Sequence, residues 1–133
     1  RAFICDYAHH PAEIRQSALS IRELYSNKRI TAIFQPHLYT RTRDFYQEFA
    51  DSLSLFDDVI LTDIYPAREL PIPGVTSQLI ANNLKPGVPC TLCLKGEVTD
   101  IVRQRCNDIE ILVLLGAGDL ESQANEITDI MKD

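Results

Sequence analysis

The sequence predicts an α/β fold: three layers, with a mostly parallel sheet of about five or six strands and helices on both faces. Two observations carry this. Short apolar runs alternate with segments of helical period along the whole chain. The run at 109–115 is apolar nearly throughout, as a strand buried on both faces requires. At 133 residues the chain fits one domain, 1–133, with no repeat, low-complexity stretch or interdomain linker.

The runs at 2–5, 30–34, 59–61, 90–94 and 109–115 are rich in Ile, Val, Leu and Phe, and most are too short for helices. After the first run, Ile14, Ala18, Ile21 and Tyr25 recur on one helical face. Pro11 suits that helix's first turn, and Glu13 suits its N-terminal dipole. A second helix is expected over 43–55, burying Phe45, Phe49, Leu53 and Phe56. A third, over 76–84, stops at Lys85-Pro86-Gly87. A fourth, over 97–106, turns Ile101 and Val102 inward. The last, over 121–131, presents Ala124, Ile127 and either Ile130 or Met131. The segment 65–74, with three prolines and no period, reads as a functional loop or an extended crossover.

Hydrophobic residues at 45% and charged residues at 24% exclude a disordered tail, a fibre and a disulfide-stapled mini-protein. No run approaches the roughly 20 apolar residues of a membrane span, and no signal-peptide pattern opens the chain, so a cytoplasmic setting without a membrane partner is expected. A net charge of −6 argues against nucleic acid as the main partner. Residues 1–47 nevertheless carry a net +3 and residues 48–133 a net −9. That fits a small anion received near one end, or a surface unevenly decorated. Cys90 and Cys93 have C-x-x-C spacing, but three residues along a strand they face opposite ways. With Cys5 and Cys106 they read as small, mostly buried hydrophobes in a reducing compartment, not a zinc site.

In such a fold ligands bind beyond the C-terminal ends of the strands. All three histidines and the Arg41/Arg43 pair fall in the first two loops there. Asp6 could accept hydrogen bonds from a ribose diol, although spacing alone favours a turn or cap residue. At most one of His9 and His10 serves a given ligand, leaving the other to cap the helix. The segment 35–43 sets His37, Thr40, Thr42, Arg41 and Arg43 near a helix start; arginines there oppose the dipole and invite a carboxylate or phosphate. The Gly116-Ala117-Gly118-Asp119 turn is weak evidence for phosphate binding, and no P-loop motif is present. If the protein uses ATP, another domain must hold most of the phosphates. Arg68-Glu69 reads as an ion pair, or as a contact to a neighbouring domain.

Taken together, D-Y-A-H-H-P (6–11), F-Q-P-H-L-Y-T-R-T (34–42), Y-P-A-R-E (65–69) and G-A-G-D (116–119) resemble the C-terminal domain of the Mur ligases, in particular the branch acting on L-alanine. The motifs stand in the family's order and cover nearly the whole chain. The resemblance implies a Rossmann-like domain and ATP-dependent amide formation in cell-wall synthesis. It implies UDP-N-acetylmuramic acid, L-alanine and ATP as ligands, with ATP and Mg2+ held mainly by a central P-loop domain and the UDP-sugar by an N-terminal one. It further implies that Asp6 meets the ATP ribose and that Tyr7, His9, His37 and Arg41 line the amino-acid side. Position 38 is Leu where many family members carry Arg, which leaves Arg41, helped by Arg43, as the principal cation. The alternatives are the related ligase that attaches a recycled tripeptide, and a non-catalytic nucleotide-binding or flavodoxin-like module.

Overall fold

The computed structural model describes residues 1–116 and 119–132, the side chain of Asp119 excepted. Five strands form one parallel sheet in the order β1-β5-β2-β3-β4: β1 Ala2–Asp6, β2 Ile30–Phe34, β3 Asp58–Thr62, β4 Cys90–Cys93 and β5 Ile111–Leu115. The helices are α1 Pro11–Leu24, α2 Tyr39–Leu53, α3 Ser77–Ala81, α4 Val98–Arg105 and α5 Ala124–Met131. Short 3₁₀ turns at Lys95–Glu97 and Asp119–Gln123 precede the last two. No described helix is long and apolar enough to cross a membrane.

Because successive strand residues face opposite ways, the sheet supports two cores. Ile30, Ala32, Phe34, Val59, Leu61, Ile111, Val113 and Leu115 pack under α1, α2 and α3. Ile33, Ile60, Leu112 and Leu114 pack under α4 and α5. Every residue of β2 and β5 is buried, and for β5 this is what the apolar run at 109–115 predicted. Cys90 joins the first core and Cys93 the second, so the two thiols do point apart. Burial pushes both thiols up to about 11.

Several expectations need correction. None of the four cysteines is fully buried, and Cys5 is exposed, because β1 lies at the edge of the sheet with one face only thinly covered. Helix α2 starts at Tyr39, four residues earlier than the pattern suggested. A kink at Phe45 (φ −129°, ψ 16°) re-phases it and turns that ring outward, 44% exposed, while Tyr46 packs against the core. Phe49, Leu53 and Phe56 are buried as expected. Helix α3 is shorter than 76–84, and β5 begins two residues after Ile109. In α5 it is Met131 that joins Ile127 inside.

Candidate functional site

Both loops of interest leave the C-terminal edge of the sheet, with the end of β5 between them. Gly116 joins the two sides: its amide donates to the Asp6 carbonyl oxygen at 3.2 Å. A Cβ there would come within 3.3 Å of the Gln35 carbonyl oxygen, and φ is +109°, so glycine suits the position on both counts. Ala117 and Gly118 of the G-A-G-D motif lie outside the described residues.

The β1–α1 loop is knitted together by its own side chains. Asp6 Oδ1 accepts from the Ala8 amide at 2.9 Å, and Oδ2 accepts from the Ser17 hydroxyl at 2.6 Å. This is the turn role that spacing favoured. A carboxylate has about four acceptor sites, so two remain for a diol. The exposed Tyr7 hydroxyl donates to Glu121 at 2.9 Å, and that carboxylate holds the phenol above its usual range. His10 sits at the N-cap in an extended conformation, with Pro11 opening the helix. Its side chain makes no capping hydrogen bond. Instead the Glu13 carboxylate accepts from the His9 and His10 amides, at 3.2 and 3.1 Å, and is held below its ordinary range by them. His9 Nδ1 lies 3.0 Å from the Tyr7 carbonyl oxygen. The rings of His9 and His10 are 4.6 Å apart, and with Glu13 they place ligand atoms within 4.8 Å of one another. An imidazole-rich set of this kind suits a borderline transition metal, whereas Mg2+ takes oxygen ligands. The H-H-x-x-E spacing is the sequence signal for that cluster.

The β2–α2 loop is held from outside. Beyond the strand end, the Leu38 amide donates to the Tyr65 carbonyl and the Tyr65 amide to the Pro36 carbonyl, both at 2.8 Å. The Tyr65 ring lies on that of His37, centroids 4.9 Å apart. Leu38 takes φ 74° and ψ 136°, a left-handed backbone unfavourable for a branched residue. Leu38 is also the N-cap residue and has no acceptor to offer. Glu69 supplies one from across the loop: its carboxylate accepts from the Thr40 amide at 3.0 Å and from the Thr40 hydroxyl. Those bonds, the hydroxyl foremost, hold its pKa below the usual carboxylate value. The expected Arg68–Glu69 ion pair is therefore replaced by a helix cap, because a carboxylate gains more from unsatisfied N-terminal amides than from an exposed arginine. Arg43 is bound to Asp44, with Nε to Oδ1 at 2.8 Å. Arg41, half-buried in the first turn of α2, makes no hydrogen bond or ion pair with the described residues.

The structure thus brings Asp6, Tyr7 and His9 together on one loop and His37 and Arg41 on the next, at one edge of the sheet. Sequence reasoning missed Ser17, Tyr65 and Glu69 in these roles. It also missed Gln35, only 2% exposed at the end of β2, whose Oε1 has no hydrogen-bond partner among the described residues. The isolated apolar pattern of residues 30–34 carries no signal for that amide.

A parallel, five-stranded α/β sheet with its polar loops gathered at the strand C-termini defines a Rossmann-like domain. The chain belongs to the family described as Mur ligase, glutamate ligase domain, whose model matches residues 1–126. It is 59% identical over 129 residues to the UDP-N-acetylmuramate–L-alanine ligase of Phocaeicola vulgatus, covering 97% of this chain and 28% of that protein. The enzyme of the same name from Parabacteroides distasonis is 53% identical over 129 residues, covering 96% of this chain and 27% of the relative. Among solved structures, the UDP-N-acetylmuramate–alanine ligase of Thermotoga maritima superposes with a TM-score of 0.69 at 25% identity, over 96% of this chain and 26% of that one. A murein peptide ligase from Psychrobacter arcticus gives 0.74 at 15% identity, over 97% of this chain and 27% of that one, a likeness of fold alone. The chain spans little more than a quarter of the length of the curated relatives it matches.

Proposed function

We propose that this chain is the C-terminal domain of a ligase that joins L-alanine to UDP-N-acetylmuramic acid. Its N-terminal UDP-sugar domain and central P-loop domain would lie elsewhere in the polypeptide. The observation that carries the reading is Arg41, in the first turn of α2 beyond the C-terminal end of β2, whose guanidinium has no hydrogen bond or ion pair among the described residues. The two relatives at 53% and 59% identity are named for alanine, whereas the peptide ligase is matched at 15%; this favours alanine over a tripeptide as the amine.

In this reading ATP supplies the phosphoryl group that makes the muramoyl carboxylate an acyl phosphate, with Mg2+ offsetting phosphate charge. The residues of this chain bind and orient. Asp6 takes the ribose hydroxyls at its two remaining acceptor sites, while Ala8 and Ser17 keep the carboxylate in place. Arg41 takes the alanine carboxylate in a bidentate fork, since the methyl offers little grip and the amine must remain an unprotonated nucleophile. His37, steadied by the Tyr65 ring, lines the path of the amine with Tyr7 and His9. Held in line with the acyl carbon, the amine attacks and forms the C–N bond, the C–O bond to phosphate breaks with inorganic phosphate taking the electron pair, and the nitrogen releases its extra proton to water. Holding the reactants in this geometry is the domain's main contribution to rate. Mg2+ would be held by the central domain, because the described donors around Glu13 are mainly imidazole.

The test is phosphate release by the complete polypeptide with UDP-N-acetylmuramic acid, ATP and each amine in turn. Turnover requiring L-alanine is expected, and the 133-residue chain alone should show none. A requirement for tripeptide instead, or ligation by the isolated chain, overturns the reading.

A further inference from the structure

We propose that Glu69 selects the amine substrate by charge: it fills the positive N-terminus of α2 and so leaves Arg41, which has no ion pair among the described residues, to take one substrate carboxylate. The inference rests on the ligase reading above and adds the device that sets its substrate class.

Three sources of positive potential gather where α2 begins. They are the helix N-terminus, with its unsatisfied amides, and the guanidinium groups of Arg41 and Arg43. Left open, such a helix end binds carboxylates and phosphates readily. The helix has no means of closing it locally: Leu38 at the N-cap carries no acceptor, and no acidic residue lies in the first turn. Glu69, 29 residues away in sequence, closes it through the Thr40 amide and hydroxyl. Arg43 is quenched as well, directly by Asp44 and at longer range by Glu69. Glu69 in turn feels the charge of Arg43.

The placement of Glu69 is built into the loop. Tyr65 is paired with Pro36 and Leu38 on both sides, and Ala67 takes a left-handed φ of 54° as the chain turns back. That turn carries the carboxylate to Thr40. A neutral amino acid presents one carboxylate to Arg41 and brings no second carboxylate toward Glu69. An acidic amino acid would bring a second carboxylate toward a helix end already occupied by the Glu69 carboxylate, which repels it.

The experiment compares L-alanine with L-aspartate as the amine for the complete polypeptide, in the parent, Glu69→Gln and Glu69→Asp. Gln keeps the size and one acceptor oxygen but removes the charge. The parent should strongly prefer alanine. Glu69→Gln should reduce that preference in kcat/KM by about tenfold, mainly through a lower KM for aspartate, with the KM for ATP within about twofold. Glu69→Asp, which keeps the charge, should retain most of the preference. In parallel, the Tyr39 and Thr40 amide resonances are followed while inorganic phosphate is added. They should move in Glu69→Gln and stay in place in the parent. A parent that uses aspartate as well as alanine overturns the proposal. So does a Glu69→Gln variant with unchanged preference whose amides ignore phosphate; Glu69 is then a cap and nothing more. If the parent ligates no amino acid, the ligase reading falls, and the phosphate titration alone decides whether Glu69 blocks the anion site.

Discussion

The heads of α1 and α2 solve one problem in opposite ways. Both helices begin at the C-terminal edge of the sheet and must satisfy their first amides. At α1 the partners are local: Glu13 reaches back to the His9 and His10 amides, and Asp6 holds Ala8 and Ser17. At α2 the acceptor comes from Glu69 on a different loop, and the backbone at Leu38 takes a left-handed turn to allow it. At the first loop the Asp6 carboxylate already holds Ala8 and Ser17, so a ligand diol there takes the acceptor sites those bonds leave. The second carries Arg41, which has no ion pair among the described residues, and a ligand carboxylate there gains one. The two loops are thus suited to different ligand groups, a neutral diol at Asp6 and an anion at Arg41.

The largest effect is expected at the uncommitted cation. Arg41→Ala in the complete polypeptide should cost about 2–3 kcal/mol of alanine binding, roughly 30- to 150-fold in its KM, with the KM for ATP within a few-fold. Lys at 41 should restore only part, since a point charge does not reproduce the planar fork. Alaninamide sharpens the test: the parent should prefer alanine strongly and Arg41→Ala should not. If the variant keeps that preference, the carboxylate site moves to Arg43 or His37.

A smaller effect is expected where the partners are internal. Asp6→Ala strands the Ala8 amide and the Ser17 hydroxyl, so it should lower stability by about 1–3 kcal/mol in urea unfolding as well as weaken ATP use. Ser17→Ala should cost about 1 kcal/mol and leave ATP use intact, because Asp6 then has one acceptor site more. With 2′,3′-dideoxy-ATP the parent should lose activity and Asp6→Ala should lose little more. Equal losses in the two proteins would exclude Asp6 as the ribose partner.

The smallest effect compares the two capping carboxylates. Glu13 and Glu69 are both depressed below their ordinary value of 4.5 in the folded chain. Folding therefore gains from their ionised forms above that value, and the gain is lost as pH falls through the folded pKa. Thermal melts between about pH 5 and pH 3 should show the parent losing more stability than either Glu13→Gln or Glu69→Gln. Both carboxylates face water, so the differences should be small. A steeper decline in either variant would remove that carboxylate from its capping role.

Particular residues show how far the sequence reached. The apolar face of α1 at Ile14, Ala18 and Ile21, with Pro11 and Glu13 at its head, was legible because every contact lies within a few residues. The opposite facing of Cys90 and Cys93 followed from strand geometry alone. Phe45 was misplaced because the kink in α2 breaks the period that assigned it. Glu69 was read as a partner of its neighbour Arg68, since nothing in Y-P-A-R-E announces that the loop folds back on Thr40. The site candidates gathered at one edge as the fold class required, but which of the two arginines stays uncommitted was not legible.

By itself the sequence determined the alternation of strands and helices, the continuous burial of β5 and the edge at which polar loops collect. Each follows from side-chain periodicity and short-range hydrogen bonding, which are properties of neighbouring residues. The tertiary structure alone decided the strand order that sets β5 between the two loops, the passage of Tyr65 and Glu69 over the head of α2, and the pairing of Arg43 with Asp44 while Arg41 has no ion pair among the described residues. Those outcomes depend on pairings between segments tens of residues apart, and a charge is free or matched only according to what folding brings next to it.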